Sequence, residues 1–482
     1  MDNGSLRGKV LSSMVWRLLE RGGMQIVNFV LQIVLARLLC PEDYGILAII
    51  TVFVTFSTTI INNGLANSLI QKKDSDELDY NTVFYTQLAL AILLIILLFV
   101  IAPFVSDIYD NDSLVLYLRV ISVVLILEAL SAIQLALLRK NMLFKISFYA
   151  NVLGTLLSGV TGIGLALLGC GCWSLIFSQI VLKVVIFLTV TIKIHWFPRL
   201  LFSWNRLRSL FSYSWKLSVG WMIGTLHQNV FSLVIGKFYS TETLGYYNRA
   251  QNLPNTMTTT FNETVSNVMF PALAMIQDDK SQVKLVTRKM MKYTAFFVWP
   301  IMAGIAAISK AFVMVMLTEK WAPSIVMMQL FCISFGINIL STTNMQSFNA
   351  IGKSEIFMKM EIIKRSISLI VLFITAQFNI YLVIIGLAFM GCFSLFYNVL
   401  PNKKFLNYSL REQMEDIIPS LIISLLMFVS VLQINRLCVS YGLIMAIQAI
   451  SGICIYIILS VVFNRQMVSE ILLEVKKVLQ KK

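Results

Sequence analysis

The sequence predicts an all-α membrane protein: about fourteen transmembrane helices in two parallel six-helix lobes, followed by two further helices. Three observations carry this. Hydrophobic residues make up 58% of the 482 and charged residues only 13%, about half the charged share of an ordinary soluble domain. The apolar residues come in continuous runs near the roughly 20 residues that cross a bilayer core as a helix, whereas strands of a membrane barrel would alternate. Finally, a stretch near the start recurs. Residues 34–47 read VLARLLCPEDYGIL and residues 234–247 read VIGKFYSTETLGYY. Val34, Glu42 and Gly45 match Val234, Glu242 and Gly245, and a small residue precedes a base in both copies (Ala36-Arg37, Gly236-Lys237). A second echo, Tyr85-Thr86 and Tyr293-Thr294, lies in the same order further on.

The spans fall near 10–37, 45–69, 82–106, 114–137, 147–168, 173–192, 215–237, 248–275, 290–315, 323–347, 361–378, 381–400, 415–434 and 441–463. The first run holds Arg17, Glu20 and Arg21 and lacks a small-x-small cleavage site, so it reads as a retained span rather than a signal peptide. Turn chemistry separates the runs: Cys40-Pro41-Glu42-Asp43 ends the first, Asp110-Asn111-Asp112-Ser113 divides the third from the fourth, and Pro401-Asn402-Lys403-Lys404 ends the twelfth. Residues 1–193 thus form an N-lobe of six spans and 215–400 a C-lobe of six. Between them, 194–214 mixes Trp, Phe and Arg, as an amphipathic segment in the membrane interface does. Residues 401–482 add spans thirteen and fourteen and a basic tail.

The formal charge of +15 reflects where the bases sit rather than affinity for nucleic acid. Lys72-Lys73, Arg139-Lys140, Arg199 to Arg208, Lys280 to Lys292, Lys403-Lys404 and Lys476-Lys477 with Lys481-Lys482 all fall on one side of this layout. The other side receives Arg37, Arg119, Lys237, Arg249, Lys310, Lys320 and Arg436. The positive-inside rule places the first set, and both termini, in the cytoplasm. Six spans separate the two copies of the repeat, an even number, so the lobes share one orientation, as in transporters built from parallel repeats.

Several function classes lack their chemistry. No external loop is long enough to house a membrane-bound polymerase or glycosyltransferase site. Ile351-Gly352-Lys353-Ser354 resembles the end of a nucleotide-binding loop, but Ser347 stands where its first glycine is required. Two histidines and scattered cysteines make no metal site, and Cys170-Gly171-Cys172 reads as small residues at a tight turn. There is no catalytic residue set and no metal site. What remains is ionisable residues inside spans, which are costly and mark functional positions or interhelical pairs. These are Arg17, Glu20 and Arg21 in the first span, Glu128 in the fourth, Lys183 in the sixth, His227 in the seventh and Glu263 in the eighth. Two readings stand side by side: a polar path, or structural pairing such as Glu128 with Lys183. Gly22-Gly23 and Gly220 with Gly224 are candidate helix-bend positions.

The chain resembles the polysaccharide-lipid flippases of the multidrug/oligosaccharidyl-lipid/polysaccharide exporter superfamily, nearest to colanic-acid-type exporters. The resemblance rests on Leu38-Leu39-Cys40-Pro41-Glu42-Asp43-Tyr44-Gly45, on Gly245-Tyr246-Tyr247-Asn248-Arg249-Ala250 with Leu253-Pro254, and on Glu319-Lys320-Trp321-Ala322-Pro323. It implies a V-shaped pair of lobes in the bacterial cytoplasmic membrane. It also implies transfer of an undecaprenyl-diphosphate-linked oligosaccharide from inner to outer leaflet, without catalysis on the cargo. Membrane lipid is then a partner, alongside polysaccharide polymerase and chain-length proteins, with no cofactor beyond a coupling Na+ or H+. A diphosphate headgroup needs cations, and Arg17, Arg21, Lys183 and Arg249 can supply them. Glu20, Glu128, His227 and Glu263 are then candidates for ion coupling or pairing. The rival reading is a cation-coupled multidrug exporter of the same fold.

Overall fold

The computed structural model describes residues 23–480 except 63, 73, 352 and 353. Arg17, Glu20, Arg21 and Gly22 therefore lie outside the described residues, as do Gly352 and Lys353. The chain forms two compact units, Met1–Gly245 and Tyr246–Lys482. Among the described residues ten helices are long and apolar enough to cross a membrane.

The first unit begins with α1 (Gly23–Leu38), a two-residue turn, and α2 (Pro41–Asn62). Pro41 has no N–H to waste at a helix start, and Glu42 and Asp43 favour the positive end of the dipole. The Asp43 carboxylate also accepts from the Cys40 N–H at 3.0 Å. The second span is not one helix. It breaks after Asn62, passes Gly64 in a non-helical conformation and resumes as α3 (Leu65–Gln71). The Ile61 carbonyl left near the break is taken by the buried Gln87 side chain at 2.8 Å, as an unpaired buried carbonyl requires. Gln87 belongs to α4 (Glu77–Tyr109). The fourth span is likewise divided, into α5 (Ser113–Ile121) and α6 (Val123–Lys140). Helices α7 (Phe144–Leu167) and α8 (Cys172–Ile194) form a hairpin. Gly169 and Gly171 adopt φ of +76° and +54° in its turn, a region that favours glycine. Cys170 and Cys172 flank Gly171 there, both as free thiols.

The segment after α8 is extended until Ser203, whose hydroxyl caps α9 (Trp204–Phe238) by accepting from the Arg206 N–H. It lies on the start of α4. Arg199 Nη1 pairs with Glu77 at 2.8 Å, and Arg206 reaches Asp76 at 3.2 Å and Asp79 at 3.6 Å. The Asn81 amide oxygen accepts from the Arg199 N–H at 2.6 Å, and Trp196 packs edge-on against Phe84. Asp76 and Asp79 also form the capping box of α4. The backbone N–H of Asp79 and the nearby bases hold the Asp76 carboxyl below its usual range.

The second unit contains most of α10 (Thr241–Met275), then α11 (Lys280–Phe312), α12 (Ser324–Ala350), α13 (Ser354–Thr375), α14 (Ile380–Leu406), α15 (Leu410–Leu432), α16 (Tyr441–Phe463) and α17 (Arg465–Gln480). Its interior is joined by amides and hydroxyls. Asn344 donates to Gln413 at 2.9 Å, Ser347 donates to Asn402 at 2.7 Å, and the Ser341 and Ser394 hydroxyls meet at 2.7 Å. α15 is fixed to α11 by ions. Arg288 donates to both oxygens of Asp416 at 2.8 and 2.9 Å, Tyr408 donates to the same carboxylate, and Lys284 pairs with Glu412 at 2.8 Å. Glu412 also accepts from the Ser409 backbone N–H at 2.9 Å, completing the capping box of α15.

The two ionic clamps are built alike with the signs exchanged. In the first unit the spanning helix α4 supplies the acids and the returning segment supplies the arginines. In the second the spanning helix α11 supplies the bases and the returning segment supplies the acids.

α9, α10 and α13 are long enough to span but fall outside the ten apolar helices. α10 satisfies its threonines locally: the hydroxyls of Thr258, Thr259, Thr260 and Thr264 donate to carbonyls four residues back, at 2.8 to 3.0 Å.

Candidate functional site

In the first unit the break between α2 and α3 gathers polar groups from three helices, two of them charged. Glu128 on α6 is 8% exposed. Its Oε1 pairs with the Lys183 ammonium from α8, and its Oε2 accepts from the Asn62 amide at 2.9 Å. The last residue of the broken helix thus holds one carboxylate oxygen and a cation holds the other. This satisfies the main demand on a charge buried in a spanning segment. The pair is not sealed: the Lys183 side chain keeps 35% of its accessibility against 10% for Glu128. Lys183 can therefore meet an anion in open space while its partner stays enclosed. Broken helices with polar groups at the break are how membrane transporters commonly hold cargo or ions.

Of the residues singled out by sequence, Glu128 and Lys183 are brought together, as the pairing reading anticipated. Arg249 is buried on α10, its guanidinium 5.9 Å above the Trp321 ring, a distance suited to a cation–π contact. His227 is half-buried on α9, edge-on to Phe231 at 6.1 Å. Glu263 is exposed on α10. Gly23 is helical and is the first described residue of α1, and α9 runs through Gly220 and Gly224 without interruption. Asn62 was missed, because an uncharged residue at the end of an apolar run drew no notice. Asn62-Asn63-Gly64 inside a span was the available signal, since such clusters break helices.

The second unit carries an apolar groove of about 520 Å³, open along one side. Its walls come from α11 (Phe297, Pro300, Gly304), α15 (Met427, Val431) and α16 (Gly452, Ile453, Tyr456), and α17 closes one end with Val468, Ile471 and Leu472. Gly304 leaves it clear, as a Cβ there would meet nothing within 4 Å. Ile453, Ile457 and Leu472 are more than half exposed, so the groove continues an apolar outer surface. Among the described residues no group of three or more His, Cys, Asp and Glu is placed to hold a metal ion.

A family model described as polysaccharide biosynthesis protein matches residues 34–326. The chain is similar to the lipopolysaccharide biosynthesis protein WzxC of Escherichia coli, 25% identical over 337 residues, 68% of this chain and 67% of that one. It is also similar to the succinoglycan biosynthesis transport protein ExoT of Rhizobium meliloti, 24% identical over 344 residues, covering 71% and 69%. Among solved structures, the lipid II flippase MurJ in an inward closed conformation superposes with a TM-score of 0.76. It is 17% identical and matches 94% of this chain and all of that one. An inward-facing multidrug resistance transporter of the MATE family gives 0.58 at 12% identity, over 80% and 96%. The fold is therefore that of these two-lobed transporters. With the family model covering more than half its length, this multi-pass membrane chain belongs to the polysaccharide biosynthesis protein family.

Proposed function

We propose that the protein moves a polyprenyl-diphosphate-linked oligosaccharide from the inner to the outer leaflet of the bacterial cytoplasmic membrane, by alternating access and without altering the cargo. The carrying observation is the apolar groove in the second unit, which suits a cargo with a long hydrocarbon tail and has little use for a soluble drug. Lys183 would meet the diphosphate, with Arg249 and, from the sequence, Arg17 and Arg21 as further cations. Glu128 would hold Lys183 in place between cycles and is the candidate for coupling to Na+ or H+. The names of WzxC, ExoT and MurJ support cargo of this class.

Deletion of the gene is expected to remove one surface polysaccharide and leave its lipid-linked repeat unit in the inner leaflet. Intact glycan with lost resistance to cationic drugs would replace this reading by the multidrug exporter. The groove has its own test. As a Cβ at Gly304 would meet open space, Gly304→Phe should hold the melting temperature while transport of a fluorescent polyprenyl-diphosphate saccharide in proteoliposomes falls about tenfold. Undiminished transport would remove the groove from the path.

A further inference from the structure

The repeated motif meets itself. In the first unit, α1 turns into α2 and α9 turns into α10 through two-residue connections, and the starts of α2 and α10 cross. A methyl group on Gly45 would lie 1.7 Å from the Thr241 carbonyl oxygen, and one on Gly245 would lie 1.9 Å from the Pro41 carbonyl oxygen. Two hundred residues separate Gly45 from Gly245, and the same interval separates Pro41 from Thr241. Each copy's glycine therefore receives the other copy's helix-opening carbonyl. This is the reciprocity of a two-fold interface, in which one patch serves both partners, here within a single chain.

The rest of the motif extends the contact. Gly236, the small residue of the second copy, packs against Tyr109 and Ile49. Lys237, its base, donates to the Ile108 carbonyl at 2.6 Å, and the Tyr109 hydroxyl donates to the Leu233 carbonyl at 3.0 Å. Further along the same seam the hydroxyls of Thr59 and Thr225 meet at 3.3 Å. At the glycines backbone touches backbone, so no cargo passes there while the crossing is intact. Where each glycine meets the opposing carbonyl, the contact is van der Waals and Cα–H···O in kind, worth about 1 kcal/mol or less.

From this reciprocity we infer that the duplicated motif is a self-matching seal, closing the transport path on the membrane face where residues 38–45 and 238–245 lie. Gly45 and Gly245 must part for cargo to leave by that face. The inference rests on the transport reading above, and it assigns a function to the sequence feature that the cargo argument left unused.

Two measurements in a variant with its native cysteines replaced test it. Thr59→Cys with Thr225→Cys, oxidised to the disulfide, should stop transport of the fluorescent polyprenyl-diphosphate saccharide at least tenfold, and reductant should restore it. Ser341→Cys with Ser394→Cys, a comparably close pair inside the second unit, should transport equally oxidised or reduced. Full transport through the locked 59–225 pair overturns the seal. Independently of any cargo, Thr225→Cys should be shielded from a membrane-impermeant maleimide added outside. It should become labelled when Gly45→Ala or Gly245→Ala is added to protein that still purifies monodisperse. Unchanged shielding in both glycine variants overturns the seal too. If the reduced protein moves no polyprenyl-diphosphate saccharide, the flippase reading fails while the labelling still decides the seal.

Discussion

Lys183→Met is expected to abolish transport and to destabilise the first unit. The substitution keeps a similar volume and leaves the enclosed Glu128 carboxylate with only Asn62 as a partner. Breaking a buried ion pair from one side costs about 3–5 kcal/mol. The lower end applies here, because Lys183 is partly accessible and the pair is partly screened. Glu128→Gln should cost less, since the freed ammonium can turn toward its open side. The double variant Lys183→Met with Glu128→Gln separates structure from function. Thermal unfolding of the purified protein should recover most of its loss, as a paired charge replaced on both sides is often nearly neutral. Transport should stay absent if Lys183 holds the diphosphate. A double variant that both folds and transports would reduce the pair to a structural one.

The second large effect is expected from Arg288→Met. Asp416 is almost wholly enclosed, its side chain 1% accessible, while Arg288 keeps 29%. Losing the arginine strands the carboxylate against Tyr408 and a longer contact to Lys292 at 3.5 Å. Losing the acid instead frees an arginine that can reach water. Arg288→Met should therefore cost about 3 kcal/mol and Asp416→Asn distinctly less, an order that melting curves can check. Hydrogen exchange should rise over residues 407–416 before the rest of α15 opens. Equal melting of the two single variants would contradict the burial argument.

The lipid-crossing helices were largely legible in the sequence because an apolar run and a capped end are local features. Pro41 with its two acids starts α2, Asp76 with Asp79 starts α4, and Asp279 starts α11. The break at Ser122 escaped because the run stays apolar across it, and the break after Asn62 escaped although Asn62-Asn63-Gly64 marked it in the sequence. α11 begins at Lys280, ten residues before the expected span, because its first turns are polar and stand clear of the apolar run. α17 was read only as a basic tail. Its apolar residues Met467, Val468, Ile471 and Leu472 are too few to register as a span, yet they share one helical face and pack under α16. In the site, opposite charges in spans four and six made the Glu128–Lys183 pair readable. The groove was not, as nothing local marks a gap between three apolar helices.

The exchanged signs of the two ionic clamps bear on how a duplicated chain keeps its halves in order. Had both returning segments kept the same charges, either could lie on either spanning helix, and the ancestral sameness would survive as a choice of docking partner during insertion. With acids on α4 and bases on α11, Arg199 and Arg206 brought to the second unit would face Lys284, Arg288 and Lys292. Like charges about 4 Å apart near a protein surface oppose contact by about 4 kcal/mol. A nascent chain can therefore recognise which half it is closing. A graft of the first returning segment in place of residues 402–416 should be rejected, although both segments leave equivalent helices.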